Sequence, residues 1–468
     1  MDLTGRMASH KRDGQVPMWN RLRNTSYLAC QMRGQARFPF RTLSALRRSQ
    51  TQRVKAMVEH AYRTVPYYRT TMDRLGLRVE DFRCAEDLAR LPLIEPEQLQ
   101  QDERSFVSAA QPLESYFRLR STGSTGNPRS VYYPAEGVLQ NAAQGERERC
   151  IIASFVGRRF GYRETVIGSR MCTGLELQAL THSHALLPSG LRIRRQYILL
   201  EDPPEKNVPL INEFRPDVIQ SYGSYLGVLF SYVADKAVGF HLPKAVTYSS
   251  DDLADSARRL IQDRFGIPVF STYQAVEALK IGFECQCHLG LHLNMDLYPL
   301  RVVDPSGRDL PPGQTGEVVV SNLVNRGTVL LNYRLGDLAA LLPQPCPCGR
   351  TLPLLSFLPG RSDDFVELPS KQVVHADLLR TVFTREEQVR QFQVVQNSIL
   401  DFTVNVVAAP TADRSALRER LLKKFADRLG QETRVNIAFV DALQRTAGGK
   451  SRVVISHRPK PLPRSGAE

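Results

Sequence analysis

Residues 118–133 read RLRSTGSTGNPRSVYY. Within them Ser121, Thr122, Gly123, Ser124, Thr125 and Gly126 form an unbroken run of small residues, hydroxyl-bearing or glycine. Such a run builds no core. Glycine leaves the backbone free to turn successive N–H groups one way, and hydroxyls add donors, which is how a loop cradles phosphate. Far downstream, QRTAGGKS (444–451) sets Lys450 behind two glycines. Two cysteine clusters lie between. FECQCHLGLH (283–292) carries Cys285, Cys287, His288 and His292, and QPCPCGR (344–350) carries Cys346 and Cys348. The residue types point to phosphate chemistry and to metal ligation.

The phosphate loop is not of the Gly-x-x-x-x-Gly-Lys-Ser/Thr type. No lysine follows Gly126, and in QRTAGGKS Gln444 stands where the first glycine belongs. A classical P-loop nucleotidase is therefore not expected.

The elements that must hold these residues can be read from periodicity. TQRVKAMVEHAYRTVPYYRTTMDRLGL (51–77) has helical spacing on both sides of Pro66, so two helices meet there. DVIQSY, KAVTYSS and IPVFSTY read as strands. GSYLGVLFSYVADKAV and DDLADSARRLIQDRFG read as helices between them, the second capped by Ser250 or Asp251. This order predicts an α/β fold with a parallel or mixed sheet. Short strands with turns from about 293 to 358 predict a β-rich subdomain. The last hundred residues alternate strand, strand, helix, strand, a small α+β unit. Residues 1–50 read as a loosely packed lead-in, 51–360 as a large domain and 361–468 as a small one.

Composition narrows the class. A chain of 468 residues is expected to hold two or three domains. No apolar run reaches eighteen residues and the first twenty are polar and charged, so neither a membrane span nor a signal peptide is expected. A cytoplasmic location follows, where cysteines stay reduced and tend to bind metal or do chemistry. Net charge is +14, yet Arg outnumbers Lys more than four to one and the basic residues are scattered. No aromatic-basic module accompanies them, which argues for anionic cofactors and against nucleic acid as partner. Cys30, Cys84, Cys150 and Cys172 have no partner pattern and read as packing residues.

Several stretches taken in order carry a resemblance. STGSTGNP resembles the Ser/Thr/Gly-rich loop of the adenylate-forming enzymes. TYQAVEA (272–278) resembles their Tyr-Gly-x-Thr-Glu segment, NYRLGDLA (332–339) their Tyr-Arg-Thr-Gly-Asp-Leu, GRSDDFVEL (360–368) their Gly-Arg-x-Asp-Asp, and RTAGGKSR (445–452) their C-terminal Gly-Lys loop. VEHAYRTVPYYR and DLARLPLIEPEQL are similar to the start of the phenylacetate–CoA ligase-like branch, which includes capsule-biosynthesis proteins. The resemblance covers nearly everything after residue 50.

It implies a large α/β domain with mixed sheets and a mobile C-terminal lid. It implies ATP-dependent activation of an acyl or aryl carboxylic acid to its adenylate, then transfer to CoA. In that scheme the loop 121–126 holds the β- and γ-phosphates. Tyr273 stacks on adenine, Asp337 takes the ribose hydroxyls, and Arg361 lies nearby. Glu277 holds Mg²⁺ against the phosphates. Lys450, which alone would read as a surface lysine, bridges the carboxylate and the α-phosphate. Asp363 is the hinge.

The same branch implies a structural zinc. Tetrahedral zinc takes Cys and His in fours, and Cys285, His292, Cys346 and Cys348 are the expected set, with Cys287 and His288 as rivals. The chain also departs from the pattern. Asn127 replaces a lysine, while Arg129 brings a charge two places on. Gln274 and Val276 replace glycine and threonine, and ELPSKQVV follows Asp364 where a glycine-bearing loop lines the thiol tunnel of CoA ligases. An amine or carrier-protein thiol is thus the alternative acceptor, and a degenerate binding protein the second alternative. Oligomeric state is open, a homodimer included.

Overall fold

The computed structural model describes residues 16–456, except 121–128, 170–172, 187–191, 446–449 and short stretches between 359 and 387. Its centre is an eight-stranded mixed sheet. In spatial order the strands are Leu354–Leu355, Leu291–Leu293, Leu279–Glu284, Val269–Ala275, Ala245–Ser249, Val218–Tyr222, Arg163–Gly168 and Arg194–Leu199. The strands from Val269–Ala275 outward to Arg194–Leu199 pair in parallel. The other three pair antiparallel.

The parallel strands are short apolar runs because helices cover both faces. Val218, Ile219, Val246 and Val269 are fully buried. Helix Gly223–Lys236 lays Leu226, Leu229 and Phe230 on this core. Gly223 opens the helix where no side chain fits. A Cβ there would lie 2.6 Å from the main chain of Asp252 and Leu253.

A second, antiparallel sheet runs Leu300–Val303, Gly316–Val320, Tyr333–Ala339 and Gly360–Arg361. It is the β-rich region expected from about 293. The hairpin Phe117–Arg120 with Ser130–Tyr133 brackets the hydroxyl-glycine loop. The C-terminal region is a four-stranded sheet, ordered Arg434–Phe439, Asp401–Ala408, Val389–Gln396, Val454–Ser456, with helix Arg414–Leu429 across it. Asp413 caps that helix through the Ser415 and Ala416 amides. Helices Leu43–Thr64 and Pro66–Leu75 meet at Pro66 as the spacing predicts.

Three expectations are corrected. Residues 18–32 are not a loose lead-in but a helix that packs on Ala135–Gln144, with Asn24 donating to the His184 carbonyl at 3.1 Å. Only Asn24 and Leu28 of this helix are buried, so the sequence alone understates how it packs. Helix Leu43–Thr64 also runs straight through position 50. Neither Ser250 nor Asp251 caps the next helix, which starts at Asp255 with Ala254 before it. Among the four unclustered cysteines, Cys30 is exposed rather than packed, and Cys172 lies outside the described residues.

Gly223→Ala should force the helix start away from the 252–253 main chain. The expected cost is about 1–3 kcal/mol, the range for overpacking a tight site. Thermal denaturation of the two proteins checks it, and an unchanged midpoint would mean the backbone yields freely.

Candidate active site

Strand Val269–Ala275 ends in a tight reversal into Leu279–Glu284, and Glu277 sits on it. Leu279 takes φ +44°, the left-handed region that a branched side chain seldom adopts. Three pieces of the fold grip this reversal. From the hairpin, the Tyr133 hydroxyl donates to the Val276 carbonyl at 2.7 Å. From the loop after Gly316–Val320, Asn322 Nδ2 donates to the Glu277 carbonyl at 2.8 Å. The Glu277 carboxylate, 6% exposed, accepts from Arg129 at 3.3 Å and from the Tyr333 hydroxyl at 3.5 Å.

Tyr273 and Asp337 are also brought together. They come from different sheets, and the Tyr273 hydroxyl donates to Asp337 Oδ2 at 2.7 Å. Tyr273 is almost wholly buried, while Asp337 keeps some exposure. Asp337 pairs in register with Arg361 on the last strand of the second sheet. The loop residues Ser121, Thr122, Gly123, Ser124, Thr125 and Gly126, Asn127, and Asp363, the expected hinge, lie outside the described residues.

Lys450 is half-buried. The next residue, Ser451, donates its amide to Asp251 Oδ2 at 3.1 Å. Asp251 lies two residues beyond strand Ala245–Ser249, and Ser224 lies two beyond Val218–Tyr222. Tyr248 is in register with Ser271 and Tyr222 with Ser249, so these positions and Tyr273 share the carboxyl edge of the parallel strands. That edge is where open α/β sheets bind ligands.

The cysteine clusters converge behind this edge. The ligand atoms of Cys285, His292, Cys346 and Cys348 all lie within 4.8 Å of one another. Cys285 Sγ is 3.6 Å from Cys346 Sγ, and His292 Nε2 is 3.3 Å from Cys348 Sγ. A tetrahedron with Zn–S near 2.3 Å has edges of about 3.7 Å, so the spacing fits such a shell. It is too long for an S–S bond. The Cys287 amide donates to Cys285 Sγ at 3.4 Å, a bond that would steady a thiolate.

The rivals face elsewhere. His288 Nδ1 is 2.6 Å from Glu284 Oε1, and Cys287 is not in the cluster. Burial, with Arg350 behind it, pushes the His292 imidazole down to about 4, which keeps it neutral as a ligand must be. Burial pushes the Cys285 and Cys346 thiols up. At Cys348 burial is outweighed by hydrogen bonds from Arg350, and that thiol is lowered.

Sequence reasoning missed the partners rather than the centre. Asn322, Tyr133 and Tyr333 carry no motif. Asp251 was legible only as a helix cap.

Comparison with known proteins identifies the fold and its relatives. Residues 366–457 match the family model of the CapK C-terminal domain. The chain is 28% identical over 451 residues to a phenylacetate–coenzyme A ligase of Thermus thermophilus, covering 88% of this chain and 97% of that one. It is 24% identical over 251 residues to protein CapK of Staphylococcus aureus, 53% of this chain and 54% of that one. The fold matches that of 2-hydroxyisobutyryl-CoA ligase in its postadenylation state, with TM-score 0.72 at 18% identity over 87% of this chain and 89% of that one. Against the thioesterification state of the same enzyme the TM-score is 0.57, at 17% identity over 89% and 90%. The chain thus has the adenylate-forming ligase fold, and phenylacetate–CoA ligases and CapK are its homologues. No helix among the described residues is long and apolar enough to cross a membrane.

Arg129→Met should leave the Glu277 carboxylate buried without its cation. A loss of about 3 kcal/mol is expected, as for breaking one side of a buried pair. Adding Glu277→Gln should recover most of it. Denaturation of the three variants checks this, and additive losses in the double variant would deny the pairing.

Proposed function

We propose that this chain activates a carboxylic acid with ATP to an acyl- or aryl-adenylate, releases pyrophosphate, and transfers the acyl group to CoA. The observation that carries the reading is that Tyr273 with its Asp337 bond, the Glu277 reversal with its Arg129 pair, and Asp251 with its bond to the residue after Lys450 all lie at or just beyond the carboxyl ends of neighbouring strands. A carboxylate and a triphosphate repel, so adenylate formation needs cations and donors placed in advance. The homologues named phenylacetate–coenzyme A ligase span the same length and support the CoA arm.

Each group has a role in this reading. The loop 121–126 holds the departing phosphates, and Arg129 beside it adds the positive charge that Asn127 lacks. Asp337 accepts the ribose hydroxyls, as carboxylates do in other nucleotide folds. Tyr273 orients that carboxylate through its hydroxyl and its ring stacks on the adenine, with Arg361 next to Asp337 in the strand register. Lys450 meets the acid's carboxylate and the α-phosphate, where charge concentrates. Asp363 is the pivot between half-reactions.

Two metals belong to the proposal. Glu277 supplies one carboxylate oxygen for Mg²⁺, which needs only one or two from protein when phosphates complete its shell. Bound there, Mg²⁺ neutralises phosphate charge. Cys285, His292, Cys346 and Cys348 fill a four-ligand shell and leave no open position, so zinc there is structural. It ties the hairpin beyond Glu277 to the loop 343–350. We place the protein in the cytoplasm, where these thiols stay reduced.

The test is pyrophosphate release from ATP and Mg²⁺ across aryl, fatty and amino acids, with CoA, hydroxylamine or neither. Release that depends on one acid class and yields a CoA thioester is the expected result. Release with hydroxylamine but not CoA would move the acceptor to an amine or carrier thiol. Silence across the panel would overturn the reading in favour of a binding protein. Lys450→Ala should slow adenylation roughly a hundredfold, about 3 kcal/mol, with folding unchanged. Equal activity would remove Lys450 from the site.

Elemental analysis of the purified protein should give about one zinc per chain. Cys348→Ser and His292→Ala should each lose it and lower the melting temperature. Cys287→Ser should keep it. Full zinc in the first two variants would refute the ligand set.

A further inference from the structure

Asp251 is nearly sealed from water, its side chain 5% exposed. A carboxylate so placed is costly unless it is bonded on several sides. Its bonds come from both parts of the molecule. Ser224, at the start of helix Gly223–Lys236, gives its hydroxyl at 2.5 Å and its amide at 3.1 Å. The C-terminal region gives the Ser451 amide at 3.1 Å, and Arg445 approaches within 4.0 Å. Arg445 also donates to Ser224 Oγ at 2.7 Å.

These two C-terminal residues bracket the Gly-Lys loop. Arg445 precedes it and Ser451 follows Lys450 directly. Asp251 therefore grips both ends of the segment that carries Lys450. The grip is not part of either core. Other described contacts between the two parts include Gln391 to the Ser224 carbonyl at 2.8 Å, Arg390 to Asp235 at 3.0 Å, Ser256 to the Val389 carbonyl at 3.1 Å and the Arg445 guanidinium over the Tyr225 ring at 5.8 Å.

We infer that Asp251 is a positioning residue that seats the Lys450 loop on the large domain for adenylate formation, and that it lets go for acyl transfer. This rests on the adenylation reading above. The molecule's likeness to the postadenylation state over the thioesterification state of one enzyme, 0.72 against 0.57, is the disposition such a seat would hold. Asp251 touches no reacting atom. It acts by fixing the main chain on either side of Lys450, and a loop out of place by an ångström can cost roughly a hundredfold in rate.

The test compares wild type with Asp251→Asn, which turns an acceptor into a donor facing N–H groups. Arg445→Met is the second variant, because Arg445 belongs to neither apolar core and leaves Asp251 itself in place. Three quantities are measured. One is pyrophosphate release with ATP, Mg²⁺ and phenylacetate, or whichever acid the panel selects. The second is thioester formation from CoA and the chemically prepared adenylate of that acid. The third is amide hydrogen exchange over 445–456, with 401–408 as the internal reference.

Both variants should lose roughly ten- to a hundredfold in the first rate and keep the second. Exchange should quicken over 445–456 and not over 401–408. Equal losses in both half-reactions, or unchanged exchange over 445–456, would overturn the inference. Should wild type release no pyrophosphate with any acid, the adenylation reading falls. The exchange comparison then decides alone whether Asp251 seats the loop.

Discussion

The reversal at Val276 and Glu277 is the point on which the site depends. It is the end of a central strand, and it is held by side chains from two other sheets. Tyr133 takes one carbonyl, Asn322 the next, and Arg129 with Tyr333 takes the carboxylate. None of these bonds is strong alone. A net contribution of about 1 kcal/mol each is typical, but an unmet buried carbonyl or carboxylate costs more than a bond returns. The three sheets are therefore locked in one arrangement less by attraction than by what any other arrangement would leave unpaired. The left-handed Leu279 fits this account, since strain of that kind persists where surroundings over-determine the backbone.

That arrangement explains how distant stretches of sequence serve one edge. Tyr133 ends the strand Ser130–Tyr133 and Arg129 directly precedes it, so gripping Glu277 also fixes the strand that follows the hydroxyl-glycine run. Tyr333 opens the strand that carries Asp337, so the same grip also sets the Asp337 carboxylate against Tyr273. On the far side of the hairpin, strand Leu279–Glu284 leads straight into Cys285. The His292 strand pairs back onto it. A four-ligand cluster there anchors the base of the hairpin while the sheets anchor its tip.

Much of this was legible in the sequence, and the reason is local. The parallel strands are continuous apolar runs, and the helices between them have clear stripes, so order and class follow from period. The ordered motifs grouped Glu277, Asp337 and Lys450 only through their resemblance to the adenylate-forming enzymes, since each alone reads as an ordinary turn or surface residue. The cysteine spacing narrowed the metal set, and the structure separates the rivals. His288 takes positive φ and turns to Glu284, which no spacing rule reveals. What was illegible is what depends on distant pairing. Asn322 and Tyr333 are ordinary residues until the second sheet folds against the first. The 18–32 helix looked loose because its neighbours are more than a hundred residues away.

Asp251 shows the same limit in its sharpest form. Next to a helical stretch, Ser-Ser-Asp-Asp is most simply a cap. The structure starts that helix later and leaves the aspartate to a partner 200 residues downstream. The proposed seat has a chemical logic if the C-terminal part moves between half-reactions. Apolar contact between the domains would hold without direction and release slowly, whereas a few directed polar bonds hold one pose and are exchanged for water when it ends. Burying the carboxylate at the centre sharpens the choice between poses. Docked, Asp251 has four donors about it. In the proposed released state it would keep the Ser224 bonds and meet solvent. Neither state leaves a charge stranded, and a buried aspartate can serve as a release point as well as a latch.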